Sequence, residues 1–294
     1  MPSTFSDWRE RGAKMDHRGR SIFFQSGGRG SGSAILCVHG FPTASWDFHR
    51  IWDRLIEKSS CVLAPDMIGF GWSDKPPAHP YSIADQADLH ETLLRNRGVR
   101  RYRMLAHDYG DTVGQELLAR HEERRRAGDE SLVLDRVCFL NGGLFPEAHR
   151  ARLVQKLMLG PLGPLVSRAI SERAFGRSLS AVFGPTTQPS PDDLHEFWTL
   201  VKHGGGNRIA HRLLHYIPER RAFRKRWVGA IVEASIPVRF VNGLADPVSG
   251  AHMVARYREL VPNPDVRELP GIGHYPQVEA PDAVWKTCAD LLFD

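Results

Sequence analysis

Three ionisable side chains stand out by type and setting: Asp108 in His107-Asp108-Tyr109-Gly110-Asp111, Asp246 in Asn242-Gly243-Leu244-Ala245-Asp246-Pro247, and His274 in Gly271-Ile272-Gly273-His274-Tyr275-Pro276. The apolar run Arg103 to Ala106 precedes the first, and helical spacing follows from Thr112 to His121, so Asp108 falls on a sharp turn from strand to helix. Such a turn lifts one side chain above the carboxyl edge of a sheet, usually a serine in Gly-x-Ser-x-Gly. Here the five residues are Ala106-His107-Asp108-Tyr109-Gly110. Replacing a hydroxyl by a carboxylate changes the chemistry. Attack on an acyl carbon would give an anhydride, whereas attack on a saturated carbon bearing a leaving group gives an alkyl ester that water can cleave. Small apolar electrophiles, epoxides or alkyl halides, are the expected substrates. Aspartate also caps helices, but that plainer role does not account for the partners that follow Asp108 in order.

His274 lies in a Gly-flanked loop after the strand candidate Val266 to Leu269, within reach of the same sheet edge. Asp246 ends the preceding strand candidate. A carboxylate there can fix the imidazole tautomer and leave the other ring nitrogen to take a proton from water. The chain order Asp108, Asp246, His274 is the nucleophile, acid, base order that accompanies a turn of this kind. His39-Gly40-Phe41-Pro42-Thr43 follows the run Ile35 to Val38, so the amides of Phe41 and Tyr109 are the expected oxyanion donors. His39 is expected to brace its loop rather than carry protons, and Pro65 to Asp74 to serve as scaffold.

Positioning these groups requires a mostly parallel sheet. Apolar runs at Ala34–Val38, Cys61–Ala64, Arg103–Ala106, Arg136–Leu140 and Pro237–Val241 alternate with helical patterns such as Ile83–Arg97, which predicts an α/β fold. Ser6 to Gln25 reads as an antiparallel edge hairpin and Gly27 to Ser33 as a plain connection. From Leu144 to Ala230 helical spacing is broken by Gly-Pro pairs and no strand-like run occurs. The expected domains are a core of residues 1–143 and 235–294 and a helical cap of residues 144–234. With 294 residues, 41% hydrophobic and 25% charged, the chain can bury a large core. The net charge of +5 sits in runs such as Arg124–Arg126 and Arg220–Arg226, which read as solvated helix faces, so nucleic acid is not an expected partner. Four scattered cysteines suggest neither disulfides nor zinc, no apolar stretch approaches the roughly 20 residues that span a bilayer, and a cytoplasmic setting is the default. No metal or organic cofactor is implied. Oligomeric state is not legible.

The chain resembles the α/β-hydrolase superfamily, in its epoxide hydrolase and haloalkane dehalogenase branch, through HGFPT (39–43), PDMIGFGWSDKP (65–76), HDYGD (107–111) and GHYPQVEAP (273–281). Together with HDYGD, NGGLFPE (141–147), VFGP (182–185) and the Lys225-Arg226-Trp227-Val228-Gly229-Ala230 stretch make it similar to mesoderm-specific transcript type hydrolases. The resemblance implies a covalent ester on Asp108 and water activated by His274, with epoxides as first substrate class. In dehalogenases, indole N–H groups hold the halide; Tyr109 and Phe41 occupy two of the expected donor positions, leaving Trp46, Trp198 or Trp227 as substitutes. In epoxide hydrolases, paired cap tyrosines protonate the leaving oxygen. Tyr216 is the only tyrosine of the insertion and the candidate donor, with Tyr109, His211 or His215 as possible second donors. Outside catalysis, the same fold would suit a small-ligand binding protein.

Overall fold

The computed structural model describes residues 4–28, 30 and 32–293. The five apolar runs and Val266–Leu269 become parallel strands, and the amino-terminal hairpin adds two more. The strands are β1 (Ala13–His17), β2 (Arg20–Gly27), β3 (Ser33–Val38), β4 (Val62–Pro65), β5 (Arg101–His107), β6 (Val133–Leu140), β7 (Val238–Gly243) and β8 (Asp265–Leu269). They form one sheet in the order β1-β2-β4-β3-β5-β6-β7-β8, with β2 antiparallel to both its neighbours and all other pairs parallel.

Alternation along each strand sorts its side chains onto two faces. Leu36, Val38, Met104, Ala106, Val137 and Phe139 join one apolar cluster, while Ile35, Cys37, Leu105, Cys138 and Leu140 join the other. Helices cover both faces, so the central stretches Ala34–Val38, Val62–Ala64, Met104–Ala106 and Val137–Leu140 are apolar and read as continuous rather than alternating.

Register places the chemistry. Val38 lies opposite Ala106, His107 opposite Leu140, and Leu140 opposite Val241, so the loops after β3, β5, β6 and β7 leave one sheet edge side by side. The chain leaves β3 toward β4 on one side while β5 lies on the other. The loops at Phe41 and Asp108 therefore flank the crevice where open α/β sheets bind ligands.

One expectation needs correction. The hairpin expected over Ser6–Gln25 is confined to β1 and β2, turning at Arg18 and Gly19, because Phe5–Arg11 is a helix. Its start is set by a capping box, Thr4 accepting from the Asp7 amide and Asp7 from the Thr4 amide. Trp8 then buries its indole against Trp46 and Trp52. Of the connection Gly27–Ser33, Arg29 and Ser31 lie outside the described residues.

Between β6 and β7 the chain forms helices and no strand among the described residues, as the insertion pattern predicts. The last of these helices, Arg224–Val232, packs along the helix Tyr109–Arg126 that follows Asp108. No helix of the described chain is long and apolar enough to cross a membrane.

Candidate active site

The bend at Asp108 is strained: its φ is 49° and its ψ is −105°, a region that non-glycine residues rarely occupy. Asp108 occupies the N-cap position of Tyr109–Arg126, yet its side chain makes no capping bond. The carboxylate is turned instead toward the sheet edge. Gly110 makes the bend possible, because a Cβ there would collide with the Val38 carbonyl oxygen.

Two of the expected partners meet at this carboxylate, and a third stands behind one of them. The Phe41 amide donates to Asp108 Oδ2 at 3.1 Å, and His274 Nε2 lies 3.7 Å from Oδ1. His274 Nδ1 donates to Asp246 Oδ2 at 2.7 Å. Tyr109 begins the helix, so the helix itself leaves its amide unused. His39 braces its loop: Nδ1–H donates to the Gly40 carbonyl and Nε2 accepts from the Met67 amide, at 2.9 and 3.0 Å. Asp66 accepts from the Ser45 and Trp72 amides, each at 2.8 Å, which makes the Pro65–Asp74 segment scaffold as expected.

The charges interlock. Burial pushes the Asp108 carboxyl up, but the hydrogen bond and charge of His274, with Arg220 behind, outweigh it and hold the carboxyl well below its usual range. For Asp246, burial is likewise outweighed by His274 and by amide and Asn141 donors, so it too is lowered. Burial alone would lower His274; the two flanking carboxylates instead raise it well above the ordinary imidazole value. A raised folded value means that this group's contribution to stability is complete below about pH 6.5, the unfolded value, and is lost as pH rises through the folded one. The melting-temperature gap between wild type and His274→Gln is therefore expected to narrow on going from pH 7 to alkaline solution, checked by thermal unfolding across that range; a gap that widens contradicts the ion triad.

A cavity of about 150 Å³ opens over Asp108. Phe41, Asp108, His274 and Tyr275 form its floor side of sheet-edge residues, and Val154, Met158, Ile170, Phe175, Leu179 and Val201 supply much of the apolar remainder from the insertion. Tyr109 and Tyr216 are not among its lining residues. Their rings pack edge to face with centroids 4.7 Å apart, and the Tyr109 hydroxyl is buried without a partner. No tryptophan lines the cavity either. The Trp46 and Trp227 indole N–H groups donate to Glu196 and Glu116 at 3.0 and 2.8 Å. No group of three or more potential metal-ligating side chains is present among the described residues.

Sequence reasoning missed several supports. Asn141 Nδ2 and Ser249 Oγ donate to Asp246 Oδ2 at 3.1 and 2.8 Å, and the Val248 amide donates to Oδ1 at 2.7 Å, so both oxygens of this carboxylate are engaged. Arg220, expected on a solvated face, is 2% exposed. Its Nη2 donates to the Asp108 carbonyl at 3.2 Å, its Nε to Thr112 Oγ1 at 2.6 Å, and its guanidinium sits 4.5 Å over the Tyr216 ring. Asn141-Gly142-Gly143 now has a physical reading: Asn141 holds the acid, a Cβ at Gly142 would strike the Asp111 carboxyl, and one at Gly143 would strike Arg220 Nη1. Glu279 accepts from the amides of Gly184 and Gly273, both at 2.8 Å, tying the insertion to the His274 loop. Asn141, Gly184 and Glu279 stand in motifs that by themselves name no partner, while Arg220 and Ser249 stand in none.

Residues 33–127 match the family model for the α/β-hydrolase fold. Mouse mesoderm-specific transcript protein is 42% identical over 93% of this chain and 83% of its own length. The chain belongs to the α/β-hydrolase family. This hydrolase is also 38% identical to LipZ of Mycobacterium tuberculosis, over 98% of both chains. It is 28% identical to a cis-3-alkyl-4-alkyloxetan-2-one decarboxylase of Shewanella oneidensis, over 87% of this chain and 80% of that one. In fold it matches the haloalkane dehalogenase DatA of Agrobacterium tumefaciens with a TM-score of 0.77 at 19% identity, covering 96% and 95% of the two chains. The α/β-hydrolase topology, an eight-stranded sheet with only β2 reversed, agrees with that assignment.

Proposed function

We propose that this hydrolase opens small apolar electrophiles by displacement at carbon, forming an ester on Asp108 that His274-activated water cleaves, with epoxides as the first substrate class. The observation that carries the reading is the Asp108 carboxylate itself, an ionised acid facing a largely apolar cavity with an amide at one oxygen and an imidazole near the other. Attack opens the carbon–oxygen bond and leaves the electron pair on the departing oxygen, which takes a proton from water; the hydroxide so formed is consumed when the ester is hydrolysed. The Phe41 and Tyr109 amides then steady the ester carbonyl while His274, oriented by Asp246, takes a proton from water. Residues 144–234 act as the cap that excludes solvent, and the small lining supports apolar substrates. Neither a metal nor an organic cofactor enters this scheme; the reactants are the electrophile and water.

Single turnover in heavy-oxygen water tests the reading. Hydrolysis of the ester places a solvent oxygen in the Asp108 carboxyl, which peptide mass spectrometry reads. A label that appears only in product removes the covalent step, and no turnover of any electrophile favours the ligand-binding alternative.

Leaving-group assistance separates the substrate classes. The absence of any cavity-lining indole weighs against alkyl halides. Tyr216 lies off the cavity lining, so Tyr216→Phe is expected to lower diol formation from epoxides by less than about threefold, where loss of a true general acid costs about a hundredfold or more. A loss of that size confined to epoxides would instead make Tyr216 the donor. Without a cavity-facing tyrosine donor from the cap, strained cyclic esters of the oxetan-2-one type named for the Shewanella relative form a second reading. Opened at saturated carbon, they release a carboxylate, which departs as an anion without needing a proton.

A further inference from the structure

The helices that roof the cavity have a second apolar face. Leu153 and Leu157, on the helix Leu153–Leu159, are 72% and 49% exposed, and Leu162 and Leu165, at the start of Gly163–Ala169, are 62% and 63% exposed. The two helices pack on each other, and spacings of four and three residues keep each pair on one side of its helix. These four are most of the large apolar side chains that the described chain leaves exposed. A concentration of this kind marks an interaction surface rather than chance exposure.

Charge indicates what the surface meets. Residues 148–180 carry six basic side chains and one acidic, a net +5 equal to that of the whole chain. Arg150, Lys156, Arg168, Arg173 and Arg177 are all exposed and form no ion pair among the described residues, whereas Arg120, Arg124, Arg226 and Arg239 elsewhere are each bound to carboxylates. Glu172, the one acid, is engaged by His195. Leucines set among unpaired cations are the pattern of helices that lie in the headgroup region of an anionic bilayer. The first of these helices presents Val154 and Met158 to the cavity on its inner side, so the surface and the cavity share one wall.

We infer that the helices Leu153–Leu159 and Gly163–Ala169 dock this hydrolase on the surface of an anionic lipid bilayer, with the leucines in the interface and the cations on the headgroups. Docked in this way, the roof of the cavity faces a store of apolar molecules, and substrate enters from the lipid phase. That entry step rests on the catalytic reading above; the docking itself does not.

Flotation of the full chain with phosphatidylcholine vesicles, with and without phosphatidylglycerol, tests the inference. Wild type is expected to float with the anionic vesicles, and to release as salt screens the headgroups. Leu157→Ser/Leu162→Ser/Leu165→Ser and Lys156→Gln/Arg168→Gln are each expected to weaken partitioning by about tenfold or more. All five positions are exposed, so unchanged circular dichroism and melting temperature serve as the folding control. Wild type left at the bottom of the gradient, or a leucine variant that floats as wild type does, overturns the inference. So does a wild-type dimer that the leucine substitutions dissociate, which would assign the face to a second copy of the chain. Flotation needs no turnover, so its failure leaves the Asp108 chemistry standing, and an inert Asp108 leaves flotation standing.

Discussion

His274→Gln protein mixed with an electrophile that the wild type consumes is expected to gain the mass of one substrate residue per chain and to stop there. Asp108 needs no base in order to attack, since its carboxyl is held ionised far below the usual range by His274 and Arg220. In the proposed mechanism the imidazole is required only for the second half-reaction. In the resting enzyme it is held protonated between Asp108 and Asp246, which makes it a poor base. Alkylation of Asp108 removes one of those two charges, so the imidazole loses its proton more readily when water must be activated. Removing the ring therefore stalls the ester without preventing its formation. Asp108→Ala is expected to show neither adduct nor turnover, a loss of about 10⁴-fold or more, as is usual for a nucleophile in a cooperating triad. Intact mass and product assays of the two variants decide the matter. An unmodified His274→Gln chain that still turns over contradicts the assignment.

Arg220 carries the second large effect. Its guanidinium joins the bent backbone at Asp108 to Thr112 and caps the Tyr216 ring, from a helix of the insertion. Arg220→Met leaves the Asp108 carbonyl and Thr112 hydroxyl without this donor in a buried site, at about 1–3 kcal/mol for each group. A fall in melting temperature of roughly 4 °C or more is expected, since each kcal/mol moves a chain of this size by about 2–4 °C. Catalysis should drop as well, by about ten- to a hundredfold in kcat, because a nucleophile displaced by an ångström is out of line with its target. Arg220→Lys should restore little of either, since a single ammonium cannot reproduce a fork aimed at two acceptors. Thermal unfolding and steady-state kinetics of the two variants check this; wild-type values for Arg220→Lys would reduce Arg220 to a charge.

Asp111 beside it shows why the local pattern could not reveal the site's support. Burial, reinforced by the charge of Asp108, pushes its carboxyl well above the usual range, and neither of its oxygens has a protein partner. Read in sequence, it is simply a second acid in HDYGD. Only burial in the fold, beside the Asp108 charge, pushes this carboxyl upward.

Local chemistry made the sheet legible. Strands buried on both faces must be apolar throughout, and a turn that lifts a side chain must have glycine where strand and helix touch, so β3 to β8, Gly110 and the order of Asp108, Asp246 and His274 could be read along the chain. The amino-terminal helix could not be separated from the hairpin beside it, because Phe5 and Trp8 are too few apolar positions to establish a period and the capping box decided between them. Partners distant in sequence were beyond reach for a different reason. Arg220 and Arg226 stand in one basic run, yet one is buried against Asp108 and the other reaches Glu116 and Glu123 at its rim. The direction of each side chain depends on how the helix carrying it packs. The residue types thus pointed to Asp108 as the proposed nucleophile and to the fold that carries it, while tertiary packing alone decided that Tyr216 stands off the cavity lining and that Arg220 reaches the Asp108 carbonyl, because only packing selects which face of a helix meets the site.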